Sequence, residues 1–139
     1  MDDLDAIRGR IRQYADYGSA DGRHESDKQV RAYLGEVLAA ARERLAPHAA
    51  VTEQLDALLL RCEFTDQALL RAADQARFDA DVEARIHAAD RRLLDLADHL
   101  RTVADGGGLA TLLDEAAAAF EERARAFADA PARSGARAG

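Results

Sequence analysis

The chain has 139 residues, a net charge of −7 and 48% hydrophobic residues, with alanine alone at 33 positions. That length fits a single domain, and so much alanine predicts a thin, closely packed core. Acids and bases are interspersed, no apolar run approaches the roughly 20 residues of a membrane span, and Cys62 is the lone cysteine. Nucleic-acid binding needs a concentrated cationic face, so neither nucleic acid nor membrane is expected as a partner. An intramolecular disulfide is excluded. The opening Met1-Asp2-Asp3 shows no charged-then-apolar leader, so a reducing, cytoplasmic setting is expected.

In chain order, residues 3–17 predict a short amphipathic helix with Leu4, Ile7, Ile11 and Tyr14 on one face. Gly18 to Glu25, rich in Gly, Ser and Asp, reads as a loop and flexible tether. Ser26 opens the next helix in this reading, with Gln29 at the spacing of a capping box. Val30, Leu34, Val37, Ala41 and Leu45 carry its stripe, and Pro47 ends it at Ala46.

From residue 48 to residue 105 the chain has no glycine and no proline. One apolar series runs Val51, Leu55, Leu58, Cys62, Leu69, Ala72, Ala76, with Thr65 in its polar gap. A second runs Val82, Ile86, Ala89, Leu93, Leu96, Leu100, Val103. Both step by 4 and 3, the signature of a helix burying one stripe. The join, Ala76–Asp79–Val82, steps 3 and 3. This offset predicts a break near Phe78–Asp81, with Asp79 or Asp81 capping a new helix. A continuous helix of this length would be roughly 87 Å long, against a diameter of roughly 37 Å for a compact domain of this size. Two helices are therefore expected, and one long helix in an elongated dimer is the alternative. Gly106 to Gly108 is read as the turn that ends the fourth helix. Leu109, Leu113, Ala116, Phe120 and Phe127 mark a fifth helix, and residues 129–139 a disordered tail.

No alternating β-branched run suggests a strand. The expectation is an all-α fold: an antiparallel four-helix bundle, up-down-up-down, with an additional short N-terminal helix. The organisation is then 1–25 for the N-terminal helix and tether, 26–128 for the bundle and 129–139 for the tail.

Sites of chemistry are scarce. A di-metal bundle needs Glu-x-x-His on two helices, and none of the four histidines fits. Glu83/His87 and Asp95/His99 are four residues apart, roughly 18 Å from pair to pair along one helix, and read as solvated pairs. Cys62 sits in an apolar stripe and reads as core. Gly106–Gly108 lacks the strand before it and the Lys-Ser/Thr after it that a phosphate loop requires. No catalytic residue, metal ligand or cofactor is expected.

What remains is interface chemistry. Leu4, Ile7, Arg8, Ile11, Arg12, Tyr14 and Tyr17 join apolar residues to the arginine and tyrosine enriched at protein interfaces. They dock either on their own bundle or on another chain. The expected function is a non-enzymatic interaction or assembly module, a homo-oligomer or a complex with a protein partner. The alternative is a ligand-sensing or cofactor-holding bundle with a pocket near residues 76–82, where Thr65, Phe78 and Asp79 interrupt regular packing.

Overall fold

The computed structural model describes residues 2–14, 19–44, 49–63, 80–103 and 106–129. These residues are all-α. A short helix α1 (Asp3–Arg8) is followed by four longer ones: α2 (Ala20–Arg44), α3 (Ala49–Glu63), α4 (Ala80–Leu100) and α5 (Gly106–Asp129).

The predicted stripes face inward. Val30, Leu34, Val37 and Ala41 of α2 are buried, as are Val51, Leu55, Leu58 and Cys62 of α3. So are Val82, Ile86, Ala89, Leu93, Leu96 and Leu100 of α4, and Leu109, Leu113, Ala116, Phe120 and Phe127 of α5. Helix α4 buries a wider face, adding Asp90, Leu94 and Ala97, because it packs against α1, α2 and α5.

Cross-helix bonds give the directions. Arg31 bonds the Cys62 carbonyl while Arg42 pairs with Asp56, so α2 and α3 are antiparallel. Arg85 pairs with Asp129 and Arg92 with Glu115, so α4 and α5 are antiparallel too. Across the other seam Gln54 bonds Asp114 and Arg61 pairs with Glu121, which makes α3 parallel to α5. Helices α2 and α4 likewise run the same way, since Tyr33 meets Asp98 and Arg44 meets the Leu100 carbonyl. The chain therefore folds as two antiparallel hairpins laid side by side with like-directed helices adjacent. Directions alternate along the chain as expected. The neighbours differ from a simple sequential arrangement, because α2 packs on α3 and α4, and α5 on α4 and α3.

The described parts of the long Gly- and Pro-free stretch are α3 and α4. Helices α3 and α4 both lie on α5 but run in opposite directions, so they are not one continuous helix. The new helix begins at Ala80, inside the expected break. The phase offset itself, Ala76–Asp79, lies outside the described residues.

Three boundaries differ from expectation. The N-terminal helix stops at Arg8 instead of residue 17 and continues as turns, with Ile11 N–H on the Ile7 carbonyl and Tyr14 N–H on the Ile11 carbonyl. Gly9, a poor helix former, sits where the regular helix ends. Residues 20–25 are helical instead of a loop, so the boundary between residues 25 and 26 falls within α2. The helix is capped by Ser19, whose Oγ accepts from Gly22 N–H at 3.0 Å. The expected capping box is absent: Ser26 is buried mid-helix, and the Gln29 amide donates to Glu25. Finally, Gly106–Gly108 forms the first turn of α5; it does not end α4. Helix α4 closes at Leu100 through a turn in which Thr102 bonds the His99 carbonyl. Arg44 donates to the Leu100 and Val103 carbonyls, satisfying acceptors that a helix C-terminus leaves open. Residues 130–139, most of the expected tail, lie outside the described residues.

Candidate functional site

The most unusual feature of the core is a connected set of charged and polar side chains. On α2, Arg23, Ser26, Asp27 and Arg31 are buried; so are Asp90 of α4 and Arg123 of α5. Asp27 and Arg123 fall on the steps of the apolar series of their helices, and Arg31 and Asp90 lie one residue to the side of theirs. In α5 the series Leu113, Ala116, Phe120, Arg123, Phe127 steps 3 and 4 without interruption, so the helix that buries Phe120 must bury Arg123.

Arg123 joins two hairpins. Its Nε donates to Asp90 Oδ1 and its Nη1 to Asp27 Oδ1, each at 2.6 Å. Asp27 Oδ2 accepts from Arg31 Nε at 2.9 Å, and Arg31 Nη1 reaches on to the Cys62 carbonyl of α3 at 2.9 Å. Asp90 Oδ2 accepts from the Tyr14 hydroxyl at 2.7 Å. One polar path thus runs from the N-terminal arm through α4, α5 and α2 to α3. Asp90 is 0% exposed, and a buried carboxylate is tolerated only when bonded. Here each of the four carboxylate oxygens of Asp27 and Asp90 has a donor.

Tyr14 also meets His87 Nδ1 at 2.9 Å, with the rings edge-on and 5.6 Å apart between centroids. The hydroxyl has one hydrogen, and the carboxylate takes it. Donor and acceptor roles in the Tyr14–His87 contact follow the His87 tautomer.

The expected interface residues sit on this side of the molecule. Ile7, Ile11 and Tyr14 are buried in the chain's own core, and Leu4 packs against it. The Arg8 and Arg12 side chains are exposed, with Arg8 Nε donating to the Tyr14 carbonyl. Tyr17 lies outside the described residues. The arm rests chiefly on α4. Arg10, absent from the expected set, fixes it there by pairing with both Asp95 and Asp98, while Asp3 pairs with Arg91.

The other candidates are dispersed. His87 turns to Tyr14, and Asp95 turns to Arg10. Among the described residues no group of three His, Cys, Asp or Glu is placed to hold a metal ion. Cys62 is buried, as expected, and burial pushes its thiol from the ordinary 9.0 up to about 12, against a smaller opposing pull from Arg31. Thr65, Phe78 and Asp79, expected near a pocket at 76–82, lie outside the described residues.

Periodicity read only in apolar residues missed Asp27, Arg31, Asp90 and Arg123. For Asp27 and Arg123 the signal was present, since both fall on the steps of an apolar series, but a polar residue there is more often exposed; Arg31 and Asp90 lie one residue to the side of theirs. No family model, no curated protein and no solved structure matches the chain.

Proposed function

We propose that the chain is a non-enzymatic helical interaction and assembly module of the cytoplasm, acting on a protein partner or on further copies of itself. The observation that carries this reading is the docking of the N-terminal arm. Its apolar residues Ile7, Ile11 and Tyr14 are buried while Arg8 and Arg12 stay exposed. A short amphipathic segment seated on a helical surface is a recurring mode of recognition between proteins. The non-catalytic part of the proposal draws on how the ionisable groups are used. Asp27 and Asp90 are bonded to Arg31, Arg123 and Tyr14, and the Cys62 thiol stays protonated at neutral pH.

Light scattering on the purified full chain over a concentration series tests the proposal. An oligomer is expected, or a complex with a protein partner that survives gel filtration. A particle that stays monomeric at every concentration and retains no partner overturns it. Ile7→Asp is not a clean probe of an interface, because Ile7 is 0% exposed and the substitution would unsettle the fold itself.

A further inference from the structure

We propose that the N-terminal arm, residues 2–14, is exchanged between two copies of the chain, each copy's arm seating on the other's α4. The proposal rests on the interaction-module reading and names its partner as a second copy.

Two observations choose that partner. The first is charge complementarity. Arg10 of the arm lies between Asp95 and Asp98, and Asp3 opposes Arg91, so cation meets anion in both directions across the contact. The second is the buried hydroxyl. Asp90 Oδ2 and His87 Nδ1 converge on one oxygen, that of Tyr14, at 2.7 and 2.9 Å. An unrelated amphipathic helix can fill apolar space, but without a hydroxyl at that point it leaves a buried carboxylate short of a donor. The arm of another copy carries Leu4, Ile7, Arg10, Ile11 and Tyr14 in the required register.

The arm is also a separable unit. Its helix is six residues long, too short to persist alone, so it must be docked somewhere. Residues 15–18 alone join Tyr14 to the Ser19 cap of α2. The contacts made by an exchanged arm are the same as those made within one chain. Their free energy cancels between the two states, and protein concentration and the connecting residues decide the balance.

The test uses two full-length copies with different affinity tags, both Cys62→Ala. One carries Asp3→Cys and the other Arg91→Cys, positions that face each other across a 3.0 Å ion pair. The copies are mixed in denaturant, refolded together and treated with a short bismaleimide. A covalent pair carrying both tags, increasing with protein concentration, is the expected result. As a control for folding and reach, both cysteines in one chain must cross-link in dilute solution. No mixed pair, with that control positive, overturns the exchange. If light scattering still shows an oligomer, the interaction module survives through another surface; if it shows a monomer without a partner, both readings fall. Tyr14→Phe gives a second readout. The Tyr14–Asp90 bond is common to the closed and exchanged forms, so its loss should speed the appearance of mixed pairs without changing their final fraction. A change in the final fraction with no change in rate counts against a shared latch.

Discussion

Arg123 holds two buried carboxylates with one guanidinium, and the consequence of losing it is asymmetric. Without the arginine, Asp27 and Asp90 would face each other's charge in a site that water does not reach. Removing one partner of a buried ion pair typically costs about 3–5 kcal/mol, a large part of a total stability of about 5–15 kcal/mol. Arg123→Met should therefore lower the urea midpoint steeply. Arg123→Lys should also destabilise the chain, because a single ammonium lacks the fork that lets Nε and Nη1 reach separate acceptors. A midpoint unchanged in both variants would show that the network is not closed in solution.

Cys62 makes a prediction at the alkaline end. Burial raises its thiol to about 12 from an ordinary 9.0, so the folded chain holds this proton more tightly than the unfolded chain does. The associated stability is intact below pH 9 and is lost as pH rises through about 12. Tyr33 acts in the same direction above its ordinary 10.0, raised by burial and by its hydrogen bond to Asp98. Chemical unfolding followed across this range should show a falling midpoint. Cys62→Ala should flatten part of the fall and leave the part due to Tyr33. A Cys62→Ala profile that falls as steeply as the original would remove Cys62 from the explanation. The same burial should keep the native thiol unreactive toward maleimide at neutral pH.

Between elements, α2 and α3 approach closely at Gly35. A Cβ built there would lie 3.3 Å from the Cys62 Cβ, so glycine lets α2 and α3 come together. A large side chain must push α3 away or distort a rotamer, at a typical cost of about 1–3 kcal/mol. Gly35→Leu should lower the melting temperature, whereas the exposed Leu60→Ala should leave it almost unchanged. Equal effects from the two would mean that the α2–α3 contact is looser than its geometry implies. Boundaries at this scale were only partly legible. Residues 20–25 resemble a loop in composition, yet Ser19 caps a helix through them, and Arg23, Ser26 and Asp27 extend the buried face of Val30 and Leu34 by about two further turns. Composition favoured the loop; the tertiary partners of those side chains, among them Arg123 on Asp27, favour the helix. Likewise Gly106–Gly108 carried a stop signal that is equally compatible with the start of the following helix.

Across the whole molecule, stability should be uneven. Helix α4 packs on α1, α2 and α5, while α1 rests chiefly on α4 alone. Amide hydrogen exchange should be slowest in α4 and fastest in α1, because an element with one principal neighbour opens without unfolding the rest. Exchange as slow in α1 as in α4 would contradict an arm that can leave its seat. The sequence by itself determined the helical class, the main apolar stripes, the burial of Cys62 and a new helix near residue 80. All of these follow from spacing along one chain, and a period of 3.6 is a local property. Only the tertiary structure decided that hairpins lie with like-directed helices adjacent, that the arm covers its own α4, and that Asp27, Arg31, Asp90 and Arg123 form one network with Tyr14. Pairing depends on which stripe faces which, and a buried charge is tolerated only by partners as much as 96 residues away. Neither the pairing of stripes nor the distant partner of a buried charge can be read from the period of a single helix.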